Sequence, residues 1–398
     1  MLSYLLGVVI FAVGIGATIG LHEFGHMRTA VGCGMKVRRF YVGFGPTLLK
    51  WRGKTSGTEY GFKLFPLGGF CDIAGMVPEE ELTPAEQRVA MYRKPWWQQV
   101  WVLSGGVLMN LVLGTLIIYL VAVFAGLPNP DADYSARVGQ VQCVDVDAGE
   151  SACPAKDAGL TPGDVIVAVD GSETPTFADV RQALMQRPGK EVALQVDRGG
   201  DILDVDVAVA SVQRETTDGR KVDVGVIGVT SAPVVDAVKR YGPVEAVPRT
   251  GVMAWDMMGA TFKGLAAFPA KLPGVAKSIV GGEREQESPM SVVGASRIGG
   301  ELAERAQWSI FAMMLASLNF FLAVFNLVPL PPLDGGRIAV VLYQAVRDWA
   351  RRVRGLAPLG PVDYRKVMPV TIAAASVLIA VGVLTIVADV VNPIRLFG

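Results

Sequence analysis

Imidazole is almost absent from this chain. Two histidines occur in 398 residues, and both lie in one short stretch, His22-Glu23-Phe24-Gly25-His26. Chemistry that needs imidazole must happen there. Net charge is absent as well: 37 basic residues balance 37 acidic ones and the pI is near neutral, so nothing argues for a nucleic-acid partner. Charge is also missing from Met1 to Leu21. A run of about 21 apolar residues makes a helix of roughly 31 Å, enough to cross a bilayer core. The run lacks the basic leader and small-residue cleavage site of a signal peptide, so it reads as a retained span.

What is present points the same way. Hydrophobic residues make up 51%, charged residues 19%, and mean hydropathy is positive. Membrane spans joined to a polar insert would give that mixture. Residues 1–27 read as the first span, with the histidine motif on its last turns. Helical spacing of four puts His22 and His26 on one face, where both can reach one metal ion. Glu23 lies beside them, a carboxylate able to take a proton from an activated water. The plainer alternative is a helix end whose polar residues meet lipid headgroups. Ionisable groups at the edge of hydrocarbon are costly and usually functional, which favours the metal.

Residues 28–99 form a basic, glycine-rich loop, which the positive-inside rule places in the cytoplasm. Val37–Val42 and Glu59–Phe65 read as the strands of a β-hairpin. Gly43-Phe44-Gly45-Pro46 and Pro66-Leu67-Gly68-Gly69 punctuate it. Its edges could pair with an extended substrate, or it could simply pack against the helices. Trp96, Trp97 and Trp101 anchor a second span over 100–126. Within that span Asn110 reads as an interhelical hydrogen bond and Gly105-Gly106 as a close-packing site.

Residues 127–230 are polar and alternate short strands with turns. The run Ala158-Gly159-Leu160-Thr161-Pro162-Gly163-Asp164-Val165-Ile166-Val167-Ala168-Val169-Asp170-Gly171 resembles a PDZ domain. Such a domain either binds peptide ends by strand addition or serves as a steric cover. Alternation of spans puts it outside the cytoplasm, where Cys143 and Cys153 are expected to pair. Cys33 and Cys71 fall inside and stay reduced. Residues 231–307 form an amphipathic region, with a surface helix expected over Val252–Ala270.

The third span, over 308–345, is interrupted by Pro329, Pro331 and Pro332 and by Asp334-Gly335-Gly336. Broken backbone at membrane depth is tolerated where it lines a protein cavity, and an acid there is a functional candidate. With no third histidine, Asp334 is available as a third metal ligand; otherwise it caps a helix beginning at Gly335. A second basic cytoplasmic loop covers 346–366, the fourth span 367–390, and an outer tail 391–398. The fold class is therefore a polytopic α-helical membrane protein with four transmembrane helices, a cytoplasmic β-hairpin loop and an extracytoplasmic α+β PDZ domain. Both termini lie on the outer side.

The two halves of the site together resemble the site-2 protease family of intramembrane zinc metalloproteases. The resemblance rests on His22-Glu23-Phe24-Gly25-His26 and on Asn326-Leu327-Val328-Pro329-Leu330-Pro331-Pro332-Leu333-Asp334-Gly335-Gly336. It is nearest to actinobacterial members that cleave membrane-bound anti-sigma factors in regulated intramembrane proteolysis at the bacterial inner membrane. The resemblance implies Zn2+ held by His22, His26 and Asp334, with Glu23 as general base. It implies that Asn326 and Pro329 hold unwound substrate, and that the loop with Gly43, Phe44, Gly45, Pro66, Gly68 and Gly69 presents a strand edge to it. The partners implied are single-span membrane proteins, the lipid bilayer and a peptide ligand of the PDZ domain. Two departures stand out: Val107 where that family often has proline, and Arg337 where histidine often follows the glycine pair. Two other classes fit the same residues, a PDZ scaffold with an inactive metal site and a metal-handling membrane protein.

Overall fold

The computed structural model describes residues 1–146, 151–215, 221–282, 284, 288–394 and 396. The tail expected over 391–398 thus lies partly outside the described residues. The chain divides into two compact units. One comprises Met1–Ala125, Tyr241–Val280 and Arg284–Gly398; the other comprises Gly126–Arg240 and Gly281–Glu283.

In the first unit, helix α1 runs Leu2–Gly32, past the boundary expected near residue 27. Phe11, Ile15, Thr18, His22, Gly25 and His26 are buried and recur at helical spacing. One stripe therefore carries both the packing residues and the motif. Leu5, Leu6, Val9 and Val13 on other faces stay exposed, which suits lipid. Gly34, at φ 66°, turns the chain from α1 towards the first strand in a conformation that side chains disfavour.

Strands β1 (Val37–Arg52) and β2 (Glu59–Ile73) are longer than the hairpin read from sequence. Each bends at glycines, so they make more than one ribbon. Residues 39–42 pair with 69–72 on one side, as Arg39 with Asp72 and Val42 with Gly69. They also lie alongside 59–62, and 59–63 pair in turn with 47–52. The order across the sheet is thus 69–73, 37–42, 59–63 and 47–52. The segment 69–73 forms one edge. Helix α2 (Pro84–Val89) follows, opened by a capping box between Thr83 and Glu86. Helix α3 (Trp96–Phe124) starts directly after Pro95, four residues before the expected span.

The second unit is α+β. A short helix α4 (Pro154–Asp157) precedes strand Val165–Val169. Helix α5 (Phe177–Met185) opens with a capping box between Thr176 and Asp179. A four-stranded antiparallel sheet has the order Asp201–Ala208, Glu191–Arg198, Val165–Val169, Ser172–Glu173. In Glu191–Arg198 the side chains of Val192, Leu194 and Val196 point inward and their neighbours outward, the period of two that strands require. They meet Val180 and Leu184 of α5 in one core. Buried Asp164 pairs with Arg198 at 2.8 Å. Cys143 and Cys153 are joined in a disulfide, with Cα atoms 4.2 Å apart.

The chain re-enters the first unit through α6 (Pro243–Ile279), α7 (Val292–Glu304), α8 (Trp308–Asn326), α9 (Asp334–Val353) and α10 (Tyr364–Val391). Helix α6 is far longer than the surface helix expected over Val252–Ala270 and continues through Pro248, Pro269 and Pro273. The stretch 308–345, expected as one broken span, is two helices. Pro329, Pro331 and Pro332 stop α8 from continuing, and α9 restarts at Asp334 with Arg337, Arg347, Arg351 and Arg352 along it. Among the described residues, four helices are long and apolar enough to cross a membrane: α1, α3, α8 and α10. Asp389 near the end of α10 is buried. It accepts hydrogen bonds from Arg284, from Ser291 N and Oγ and from Gly294 N, which ties α10 to the start of α7.

Candidate metal centre

Helix α1 alone supplies two donors. His22 and His26 are one turn apart, 8% and 7% exposed, with their rings edge to face. The third comes from 312 residues away: the Asp334 carboxylate sits in the first turn of α9, where the helix dipole favours negative charge. Nε2 of His22, Nε2 of His26 and Oδ2 of Asp334 form a triangle with every edge at 3.2 Å. Tetrahedral zinc, with bonds of about 2.0–2.1 Å, spaces its donors roughly 3.3 Å apart. The residues present fit such an ion in number, type and spacing. Asp334 is the first residue of α9 rather than its N-cap, which is Leu333, so the capping alternative does not describe its position.

The ring nitrogens turned away from the triangle are both held by α3. His26 Nδ1–H donates to the Val102 carbonyl at 2.8 Å. Asn110 Nδ2 lies 3.2 Å from His22 Nδ1, while Asn110 Oδ1 has no other partner. Between them, Gly106 leaves room for the rings: a Cβ there would lie 2.5 Å from His26 Nε2 and 2.6 Å from His22 Cε1. Val102, Gly106 and Asn110 are spaced by four, so one stripe of α3 cradles the site. Gly25 and Gly105 bring the two helix backbones close enough for this.

Glu23 is placed by the β-sheet. Its Cγ lies 3.0 Å from where a Cβ on Gly69 would be. The edge segment 69–73 therefore runs alongside the candidate base. Of the other residues singled out in sequence, Gly43, Phe44, Gly45 and Gly68 gather in the bend of β1 and β2. A Cβ on Gly68 would strike the Phe44 ring. Pro66 lies within β2. Asn326 ends α8 and its Nδ2 donates to Leu322 O at 3.0 Å; among the described residues it makes no hydrogen bond to the triangle. Pro329 is exposed in the connection to α9. Asn110 makes the interhelical hydrogen bond, and Gly105-Gly106 the close packing, that were read from the sequence; that these residues and the Val102 carbonyl face the two histidines was not read. The available signal was their common spacing of four across a single apolar helix.

Comparison with known proteins gives a consistent picture. A model of peptidase family M50 matches residues 10–357. The chain is 42% identical over 403 aligned residues to the zinc metalloprotease Rip1 of Mycolicibacterium smegmatis, covering 98% of this chain and 99% of that protein. It is 41% identical over 408 residues to the zinc metalloprotease Rip1 of Mycobacterium tuberculosis, with 100% of each covered. It is 29% identical over 366 residues to the metalloprotease MmpA of Caulobacter vibrioides, covering 87% of this chain and 88% of that protein. The chain belongs to peptidase family M50, the site-2 protease family of zinc metalloproteases, and is a metalloendopeptidase.

Proposed function

We propose that this protein cuts peptide bonds within transmembrane segments of single-span membrane proteins, anti-sigma factors among them, as a step in regulated intramembrane proteolysis. The observation that carries the reading is the equilateral donor triangle of His22 and His26 on the apolar helix α1 with Asp334 at the start of α9, Glu23 alongside. These three residues would hold the ion. Zinc bound there would polarise the scissile carbonyl and lower the pKa of a water to about 7. Glu23 takes the proton of the attacking water and passes it to the leaving amine. The His26 bond to Val102 O keeps the proton on Nδ1 and leaves the Nε2 lone pair free to coordinate. Asn110 does the same for His22 when its side-chain amide is turned over, which exchanges Nδ2 for the unpartnered Oδ1 as the atom facing Nδ1–H.

A helical peptide bond is shielded by its own hydrogen bonds, so substrate must unwind first. The edge segment 69–73 offers main-chain groups to an extended peptide next to Glu23. Asn326, Pro329 and the loop containing Gly43, Phe44, Gly45, Pro66, Gly68 and Gly69 steady it. The second unit acts as a PDZ domain outside the cytoplasm. Support comes from its helix-and-sheet order and from a cleft of 310 Å³ between Phe177, Val180 and Leu184 of α5 and residues 224–230. That cleft receives a peptide end, or the domain screens substrates by size. The chain lies in the bacterial inner membrane with its two basic loops inside and its termini outside.

Mass spectrometry of the products from a tagged single-span anti-sigma factor, already trimmed on its outer side, tests this. The reading requires a new terminus inside the apolar run that is lost on zinc chelation. Cleavage confined to the flanking polar segments would refute it.

A further inference from the structure

Arg337 lies one helical turn beyond Asp334 on α9, and the proposed chemistry does not use it. Its Nη1 meets only Met76 Sδ, at 3.5 Å, and no carboxylate pairs with it among the described residues. It lines a cavity of about 320 Å³ together with Tyr364 and Arg365 of α10 and Glu79. Arg365 likewise has no ion pair among the described residues. The single carboxylate is already engaged, since Glu79 Oε1 accepts the Tyr364 backbone N–H at 3.0 Å. Two basic residues thus line the cavity against one occupied acid. The wall changes character along α10, where Met368 and Thr371 continue it. Helix α10 is apolar enough to cross a bilayer and is the least buried of the four such helices, so this wall opens towards lipid.

Cationic at the first turn of a membrane helix and apolar one turn further on, the cavity has the polarity of a phospholipid. Basic pockets between membrane helices bind anionic headgroups in this way. We propose that the cavity is a binding site for one anionic phospholipid, a proposal that rests on α10 crossing the bilayer and not on any proteolytic step. The phosphate lies between Arg337 and Arg365, where planar donor forks suit it. The Tyr364 hydroxyl adds a further donor, and the first acyl carbons run along Met368 and Thr371. Arg337 and Asp334 share the first turns of α9, so an occupied site also steadies the helix that carries the third metal ligand.

The test is native mass spectrometry of the full chain released from phosphatidylcholine vesicles with and without phosphatidylglycerol. Wild type is expected to retain phosphatidylglycerol selectively. A surface-proximal cation contributes about 1 kcal/mol to anionic-lipid attraction, or about fivefold in retention, so Arg337→Gln and Arg365→Gln together are expected to lower it about 25-fold. The paired Arg337→Lys and Arg365→Lys variant keeps the charge and most of the retention. Unchanged phosphatidylcholine retention and an unchanged melting curve establish that the glutamine variants still fold. Equal phosphatidylglycerol retention in wild type and the folded double glutamine variant would overturn the proposal. So would displacement of the lipid by inorganic phosphate, which would make this a free-phosphate site, or by an acidic single-span peptide, which would make it a substrate subsite.

Discussion

Gly106→Ala tests the cradle of the metal centre with a single methyl group. The added Cβ would lie 2.5 Å from His26 Nε2 and 2.6 Å from His22 Cε1, against ordinary van der Waals contact at 3.4 Å. Both rings would have to retreat by about 0.8–0.9 Å. Neither can do so freely. His26 is tied to Val102 O and His22 lies against Asn110, both on the helix that carries the new methyl. Overpacking of this kind costs about 1–3 kcal/mol, which a four-helix assembly can tolerate while staying folded. Misplacement of reacting groups by about 1 Å costs on the order of 100-fold in rate. The variant is therefore expected to fold, to hold well under one zinc per chain, and to cleave at least 100-fold more slowly. Gly382→Ala is the matched control, because a Cβ there meets nothing within 4 Å. Zinc content and cleavage rate measured on both variants decide the matter. Wild-type zinc and wild-type cleavage in Gly106→Ala would refute the cradle.

Further outcomes follow from other contacts. Asn110→Ala removes the support of His22 and is expected to weaken zinc affinity by about 10–100-fold, as read by competition with a chromogenic chelator. Asn110→Asp keeps an acceptor and is expected to retain most of it. Asp389→Ala leaves Arg284 buried without its carboxylate. It is expected to cost about 3–5 kcal/mol and to loosen α10 selectively, seen as faster hydrogen exchange in Tyr364–Val391. In the second unit, the Arg198 guanidinium holds the Asp164 carboxyl below the usual carboxylate range, with Thr161 assisting. A depressed folded value gives stability that is fully present above the unfolded value near 4 and is lost as pH falls through the folded one. Exchange protection of Val165–Val169 is thus expected to drop below about pH 4. Asp164→Asn is expected to lose about 1–2 kcal/mol at neutral pH, a figure reduced because Arg198 is partly exposed.

The grouping of three donors at one point was legible because chemistry was scarce. Two histidines at a spacing of four left one candidate metal face, and an aspartate in a proline-broken apolar stretch was the natural third donor. Span positions were legible from uncharged runs, whereas their limits were not. Trp96–Gln99 is as good a helix start as an interface belt, and the apolar pattern alone could not separate α8 from α9. Strands β1 and β2 exceeded their expected lengths because Phe44, Leu48, Leu49, Phe62, Leu64 and Phe65 are exposed, so no inside–outside alternation marks the ends. Helix α6 ran through three prolines that normally signal a stop. The support of the site was hidden for another reason. Asn110 meets a residue 88 positions away, and periodicity within one helix carries no record of what faces it.

The most direct measurement is cleavage of the trimmed anti-sigma factor by wild type, Glu23→Gln and Asp334→Ala, with zinc content determined on all three. Both variants are expected to lose cleavage, with zinc kept in Glu23→Gln and reduced in Asp334→Ala. Cleavage by Glu23→Gln at the wild-type rate would contradict the account and leave the chain a scaffold with a metal site of another purpose.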